Sequence, residues 1–164
     1  ETGKQFDLGH AGLKALNSLR MEKGYRDYGH DMDNTDNAYE VGLGTFVKLN
    51  KEDDFIGKQA CIKIRQEDDK RKRLAQVLIK DPEPFLFHAE IVLRDGQPVG
   101  YVSSGAYAFS LGGAAGLFMI HADRPVDEAY VSGGTWEVNI AGTLYPAEVS
   151  LKPMYDPGME RIKA

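Results

Sequence analysis

A single cysteine in 164 residues means that the chain has no internal disulfide. Cys61 lies among apolar neighbours, and no histidine is near it in the sequence. This setting favours a packed, unreactive thiol over a nucleophile. A free thiol of this kind is typical of a reducing compartment, so the sequence predicts a cytoplasmic protein.

Long apolar runs are also missing. No stretch approaches the roughly 20 apolar residues that cross a bilayer, and the amino terminus lacks the apolar segment of a secretory signal. We therefore expect a soluble protein with no membrane partner. The first residues, Glu1–Gly3, include no initiator methionine, and we interpret the chain as a fragment of a longer protein.

An excess of positive charge is absent as well. The 20 basic residues face 25 acidic ones, which gives a net charge of −5, so nothing favours a nucleic-acid partner. The basic run Lys70–Arg73 follows directly on the acidic Glu67–Asp69. Such a mixed run is typical of a solvated linker.

The sequence pattern changes at this run, although 42% hydrophobic residues are enough for a packed core throughout. Before it, the apolar spacing favours helices separated by loops, and after it short strand patterns dominate. The pattern predicts a first unit over 1–66, a linker over 67–73 and a second unit over 74–164.

In the first unit, apolar spacing predicts a helix over Phe6–Leu19, with Asp7 as its N-cap and Gly24 beyond its end. The next elements are a loop over Tyr25–Tyr39, a strand over Thr45–Leu49 and a helix over Phe55–Arg65, capped by Asp53 or Asp54.

The second unit contains six short runs with strand character. They are Leu74–Ile79, Glu90–Leu93, Pro98–Gly105, Ala115–Ile120, Thr135–Ile140 and Thr143–Val149. The pairs Asp95–Gly96 and Ala141–Gly142 read as hairpin turns. Short strands with glycine-rich turns predict a small antiparallel barrel or sandwich.

Four short motifs in one order carry a family resemblance. They are Ser18–Gly24 (SLRMEKG), Tyr28–Asp31 (YGHD), Glu40–Leu43 (EVGL) and Asp54–Gly57 (DFIG). Their order and spacing resemble the aminomethyltransferase family, which includes the glycine-cleavage T-protein and the carboxy-terminal parts of dimethylglycine and sarcosine dehydrogenases. The run Phe46–Lys51 before Asp54–Ala60 is most similar to the dehydrogenase branch, and Val99–Gly105 resembles the family's final barrel.

The resemblance implies an α+β chain: the carboxy-terminal piece of the T-protein folate-binding α/β domain, followed by a small antiparallel β-barrel. It also implies the tetrahydrofolate-binding, one-carbon-transfer portion of a transferase or oxidoreductase. The full-length protein would use folate and a small N-methylated amine. FAD is expected only in an upstream domain of the same chain.

The family's catalytic aspartate belongs to a segment upstream of Glu1, so no catalytic residue is assigned here. The resemblance implies folate contacts for Arg20, in the first motif, and more weakly for Arg161. The planar fork of an arginine suits a carboxylate or a pterin carbonyl. Glu40 is an acceptor for a ring N–H, and Tyr107 is a stacking surface, although an aromatic residue in a barrel is by default part of the core.

No metal site is predicted. The aspartates Asp31, Asp33 and Asp36 depart from the calcium-loop pattern, which requires glycine at its sixth position and glutamate at its twelfth. His30 is interpreted as a loop residue that bonds a neighbouring carboxylate.

Two departures from the family pattern leave other functions open. Thr45 stands where T-proteins usually have an aromatic residue, and Leu86 stands where they have an arginine. One alternative is a non-catalytic regulatory protein of the same fold, similar to the regulatory subunit of pyruvate dehydrogenase phosphatase. The other is a fragment of a free glycine-cleavage T-protein.

Overall fold

The second half of the chain folds into a closed barrel of six antiparallel strands in this computed structural model, which describes residues 1–163. The strands are β1 (Lys72–Ile79), β2 (Ile91–Arg94), β3 (Gln97–Ala108), β4 (Gly113–His121), β5 (Trp136–Ile140) and β6 (Thr143–Ser150). Their order around the barrel is β1-β4-β3-β2-β5-β6. The predicted barrel and the α+β class are confirmed.

Both predicted hairpins join neighbouring strands. Asp95 and Gly96 connect β2 to β3 with φ angles of 52° and 76°. Ala141 and Gly142 connect β5 to β6 with φ angles of 50° and 91°. Two consecutive left-handed residues match the twist of the flanking strands, so these turns fix the register of each pair.

Short helices complete the described chain. They are α1 (Leu13–Lys23), α2 (Lys58–Glu67), α3 (Glu128–Ser132) and α4 (Glu160–Lys163), with 3-10 turns at Thr2–Phe6 and Gly44–Phe46. Within residues 1–163, none of these helices has the length and apolar character needed to cross a bilayer.

The barrel interior is built around Phe118, which packs edge-on against Trp136 with ring centroids 6.2 Å apart. The indole N–H of Trp136 donates to the backbone oxygen of Val131 at 2.8 Å, so the ring is buried without losing a hydrogen bond. Aliphatic side chains from β1 to β5 fill the remaining space, including Val77, Ile79, Val92, Val102, Ile120 and Val138.

Helix α1 covers the outside of the barrel. Strand β1 is therefore buried on both faces: Val77 and Ile79 belong to the interior, whereas Leu74 and Leu78 pack with Met21 of α1. Gln76 lies on the same outer face. Its amide nitrogen donates to the backbone oxygen of Met21, and its amide oxygen accepts from Met154 N at 2.7 Å. It thereby satisfies a carbonyl near the carboxyl end of α1.

The start of the first helix was predicted too early. The chain forms a 3-10 turn and then passes through Asp7 in a left-handed conformation, with φ of 52°, so α1 begins only at Leu13. The glycines Gly9 and Gly12 between these elements disfavour helix and override the apolar spacing. At the other end α1 runs to Lys23, four residues past the predicted Leu19, and Gly24 lies beyond the helix as predicted, where it caps α1 with φ of 59°.

The strand predicted at Thr45–Leu49 is wrong. Gly44–Phe46 form a 3-10 turn, and no strand within the described residues lies beside this segment to pair with it. The following helix also begins late, at Lys58, with Gly57 rather than an aspartate as its N-cap. None of its residues is buried in the described part of the chain.

The division into two units stays a prediction. Strand β1 begins at Lys72, inside the predicted linker. Met21 and Val41 of the first unit pack in one cluster with barrel residues such as Leu117. The two units thus share a core along α1, while the segment that contains α2 is held more loosely.

Limited trypsin digestion should cut first after Lys70 or Arg71. Both side chains are exposed, and they lie between α2 and β1, outside the helices and strands. Their backbone oxygens accept from Val126 N and Ala122 N, so cleavage requires local opening of these two hydrogen bonds. Cleavage after Arg73 should be slower, because Arg73 is part of β1 and pairs with Asp68. Mass spectrometry of the first fragments tests this. Early cuts between 75 and 150 would contradict the barrel as the stable unit.

Candidate functional site

A buried carboxylate, that of Asp31, connects α1, the following loop and the barrel. It accepts hydrogen bonds from Arg20 Nη1 at 2.6 Å, from Asp27 N at 2.8 Å and from Ser103 Oγ at 2.6 Å. The Asp31 side chain is fully buried. A buried charge needs such partners to be tolerated, so this network fixes the loop against strand β3.

The guanidinium of Arg20 is held on three sides. Nη1 donates to Asp31 and to Tyr25 O at 3.1 Å, and Nη2 donates to Asn17 Oδ1 at 2.9 Å. Of the five N–H donors of an arginine, Nε–H and one N–H of Nη2 have no partner among residues 1–163. Arg20 is therefore oriented by the protein while keeping donors for a ligand.

A cleft of about 480 Å³ opens at this guanidinium. It is lined by Asn17, Arg20, Asp27, His30, Phe87, His88, Ser103 and Ser104. Its polar groups come from α1, from the loop after α1, from β3 and from His88 between β1 and β2, and the ring of Phe87 supplies an apolar surface. A concave site with one oriented arginine and a few polar groups is typical of small-molecule binding.

Asn17 links this cleft to strand β3. Its Oδ1 accepts from Arg20, while its Nδ2 donates to Gly105 O at 3.1 Å. One residue further along α1, Ser18 Oγ donates to Tyr107 O at 2.6 Å. The backbone oxygen of Tyr107 therefore lies at the α1–β3 junction, but Tyr107 is not among the residues that line the cleft at Arg20.

Tyr107 and Phe109 form an aromatic pair beside this junction, with ring centroids 5.0 Å apart at 64°. The buried carboxylate of Glu22 accepts from Ser110 N at 2.7 Å, and this bond anchors the loop that carries Phe109. Phe109 is 78% exposed, so its ring is open to contact by a ligand or another part of the protein.

Glu40 lies in a separate cluster. Its carboxylate accepts from Asn37 N at 3.0 Å and lies 3.4 Å from Lys72 Nζ. Burial acts to lower the pKa of Lys72, but Asp36 and Glu40 outweigh it, and the pKa lies above its ordinary value. The charge of Glu40 is thus already partnered by Lys72.

The glycine of the same motif makes room for Arg26. A Cβ on Gly42 would lie 2.6 Å from Arg26 Nη2, and the φ angle of Gly42 is 72°. Arg26 Nε donates to Val41 O at 2.8 Å. The Glu40–Leu43 motif is therefore explained in this structure by local packing.

Arg161 also lies apart from Arg20. It belongs to α4, where its Nη1 donates to the hydroxyl of Tyr155 at 2.8 Å. The tail is tied to α1 by Lys23, whose Nζ donates to Asp156 O at 2.7 Å. No hydrogen bond or ion pair among residues 1–163 joins Glu40 or Arg161 to Arg20 or to its partners in the Asp31 network. All four folate contacts stay predictions.

The interpretation of His30 agrees with the structure, in which its Nδ1 lies 3.3 Å from Asp27 Oδ2. The roles of Asp31, Ser103 and Phe87 were not predicted from the sequence. Asp31 and Ser103 both belong to motifs that carried the resemblance, but they are 72 positions apart. Nothing in local spacing indicates that they meet.

Two models of one protein family match the chain. The "Glycine cleavage T-protein C-terminal barrel domain" matches residues 72–156, and the "GCVT N-terminal domain" matches residues 1–51. The first match covers the barrel, and the second covers α1 with the loop that holds Asp31. The chain belongs to the glycine cleavage T-protein family, as the motifs predicted.

Curated relatives include members of the predicted dehydrogenase branch. The chain is 39% identical to 4-methylaminobutanoate oxidase (formaldehyde-forming) of Paenarthrobacter nicotinovorans, over 99% of this chain and 19% of that protein. It is 35% identical to the mitochondrial dimethylglycine dehydrogenase of Mus musculus, over 98% of this chain and 18% of that protein. The chain therefore spans about a fifth of the length of these relatives.

A solved structure supports the fold. The glycine cleavage system aminomethyltransferase T from Bartonella henselae superposes with a TM-score of 0.69 at 20% sequence identity. The match covers 85% of this chain and 37% of that structure. At this identity the likeness establishes the shared architecture.

Proposed function

We propose that this chain forms one wall of a tetrahydrofolate site in a longer enzyme that transfers a one-carbon unit from an N-methylated amine. The main support is Arg20, which the Asp31 network orients while two of its N–H donors keep no partner within residues 1–163. A planar donor fork suits the carbonyl and ring nitrogens of a pterin or a carboxylate.

The described residues fit such a ligand. The cleft at Arg20 has a volume of about 480 Å³, within the range of roughly 300–1,000 Å³ that is usual for small-molecule sites. The ring of Phe87 lines this cleft, and the Tyr107–Phe109 pair lies outside it; each offers an apolar surface to a flat heterocycle. Glu40 and Arg161 remain further proposed contacts.

When bound, tetrahydrofolate supplies the nitrogen nucleophile that accepts the methylene carbon. The residues of this chain would bind and orient it rather than transfer protons. Fixed donors such as Arg20 need little rearrangement during the reaction, and correct placement of two reactants lowers the barrier on its own. We assign no catalytic residue to residues 1–163.

The second wall would come from upstream domains of the same chain, one of which would bind FAD. The outer face of α1 supports this arrangement, because Leu13, Leu16 and Leu19 are each at least 60% exposed. Three leucines on one helical face usually pack against a partner.

A formaldehyde-releasing oxidase is the second candidate. It is favoured by the name of the Paenarthrobacter relative. In such an enzyme the carbon would leave as formaldehyde even when folate is present.

A cytoplasmic location also stays a proposal, and the name of the mouse relative specifies the mitochondrion.

The purified 164-residue chain should be folded but catalytically inactive. The experiment compares it with the full-length parent, supplied with dimethylglycine and tetrahydrofolate, and measures both methylenetetrahydrofolate and free formaldehyde. The parent should form methylenetetrahydrofolate, and the 164-residue chain neither product. Formaldehyde from the parent regardless of folate would favour the oxidase.

Turnover by the chain alone would refute the proposal, because it would require a catalytic group among residues to which we give binding or structural roles. Glu22, Glu40 and His30 would then be the first side chains to replace.

A further inference from the structure

A second cleft, of about 960 Å³, lies between the segment after Gly42 and the junction of α2 with β1. None of its lining residues belongs to the cleft at Arg20. Its charged lining residues are Lys48, Lys51, Arg65, Lys70, Arg73 and Asp68. Five cations and one carboxylate therefore surround a single opening.

The carboxylate does not offset the free cations, because it is already paired. Arg73 Nη1 donates to Asp68 Oδ1 at 3.2 Å, and Nη2 contacts Oδ2. Burial acts to raise the pKa of Asp68, but the bond from Arg73 and the other contacts outweigh it and lower the pKa. Asp68 thus stays ionised, and the pair is neutral.

Four cations of the lining remain outside this pair. Lys48, Lys51, Arg65 and Lys70 are exposed, and no ion pair joins any of them to an acid within residues 1–163. The chain as a whole carries a net charge of −5, whereas the residues that line this cleft carry a net positive charge. Like charges around one concave surface repel each other and concentrate anions there.

Tyr39 also lines this cleft. The hydroxyl of Tyr39 is buried and has no hydrogen-bond partner in the described part of the chain. The ring fits against Gly44, where a Cβ would lie 2.6 Å from Tyr39 Cδ1. A buried donor without a partner is unfavourable unless a ligand satisfies it.

We propose that this cleft binds a small polyanion with at least three negative charges on carboxylate or phosphate groups. The volume exceeds what a single phosphate-sized ion needs, and the cations come from separate segments of the chain rather than from one turn. A ligand with several anionic groups matches this arrangement. The inference does not depend on folate binding at Arg20.

The test is titration calorimetry of the 164-residue chain with two probes, tripolyphosphate and citrate, which distinguish phosphate from carboxylate ligands. The test variant is the triple substitution Lys48→Ala, Lys51→Ala, Arg65→Ala. We expect it to lose at least about tenfold in affinity for the preferred probe, because it removes three of the four unpaired cations.

The matched control removes the same charge elsewhere, by Lys4→Ala, Lys14→Ala and Lys63→Ala. Its affinity should stay within about twofold of the unmodified chain, because these side chains lie outside the cleft. Equal losses in both triple variants would mean attraction by net charge alone and would overturn the proposal. Absence of binding by either probe would overturn it too.

Tyr39→Phe provides a second variant that should fold normally. It removes a hydroxyl that has no partner within residues 1–163, so the melting temperature should not fall. Probe affinity should nevertheless drop. A lower melting temperature with unchanged affinity would contradict the assignment of this hydroxyl to the site.

Discussion

Replacing Arg20 with alanine in the full-length parent should weaken tetrahydrofolate binding by about 1.5–3 kcal/mol, or roughly 10- to 150-fold. The loss is that of a charge-assisted hydrogen bond from an arginine that Asp31 and Asn17 hold in place. Titration calorimetry measures it. Arg71→Ala is the comparison, because Arg71 is exposed, pairs with Asp69 and does not line the cleft at Arg20.

The same substitution should also destabilise the protein. From the sequence alone we expect little change in melting temperature, but the structure shows that Arg20 neutralises the fully buried carboxylate of Asp31. Breaking a buried ion pair costs about 3–5 kcal/mol, and we expect the lower end because the Arg20 side chain keeps 18% exposure.

A double variant separates the two effects. In Arg20→Ala with Asp31→Asn, no buried charge is left unpaired, so part of the lost stability should return while folate affinity stays low. If the folate affinity of the single variant is unchanged, Arg20 is a structural residue only.

Gly105→Ala is the second substitution with a large expected effect. A Cβ at this position would lie 2.5 Å from the backbone carbonyl of Leu86. Backbone cannot move aside as a flexible side chain can, so the segment that carries Leu86 must shift away from β3. We expect a loss of about 3 kcal/mol in the free energy of unfolding, at the upper end for overpacking.

Thermal melts should show this as a drop of roughly 6–12 °C for a chain of this size. The matched control is Gly9→Ala, because Gly9 has no atom within 4 Å of a Cβ and no positive φ. Its melting temperature should stay near that of the unmodified chain. Equal melting temperatures for both variants would show that β3 and Leu86 are not in close contact.

The barrel strands were predictable because their signals are local. The alternation of β-branched residues and the Asp95–Gly96 turn are read within a few residues of sequence, and the structure places β2 and β3 within a few positions of the prediction. The order of strands around the barrel was not predictable. It depends on pairings between distant segments, such as β1 with β4.

The first 70 residues were harder to predict because their structure also depends on contacts between distant segments. Thr45–Leu49 has the alternation of a strand, but a strand exists only beside a hydrogen-bonding neighbour, and the described residues provide none there. The apolar faces of α1 and of the segment around Ile56 remain exposed. We propose that these apolar faces pack against upstream parts of a longer protein.

The candidate site could be predicted only in part from the sequence. The motif around Arg20 singled out the arginine, and the structure adds the reason for its orientation, which is the bond to Asp31. That carboxylate was predictable as part of a loop but not as a buried partner of Ser103, because burial arises only when β3 packs against the loop.

The central claim is that the α1–β3 face of this chain is a folate wall. The most direct measurement is the change in amide NMR shifts of the labelled chain on titration with tetrahydrofolate, since NMR detects the weak binding expected of a single wall. We predict shifts at Arg20, His88, Ser103 and Tyr107, with none along β5. No shifts at saturating folate, or shifts confined to β5, would contradict the account.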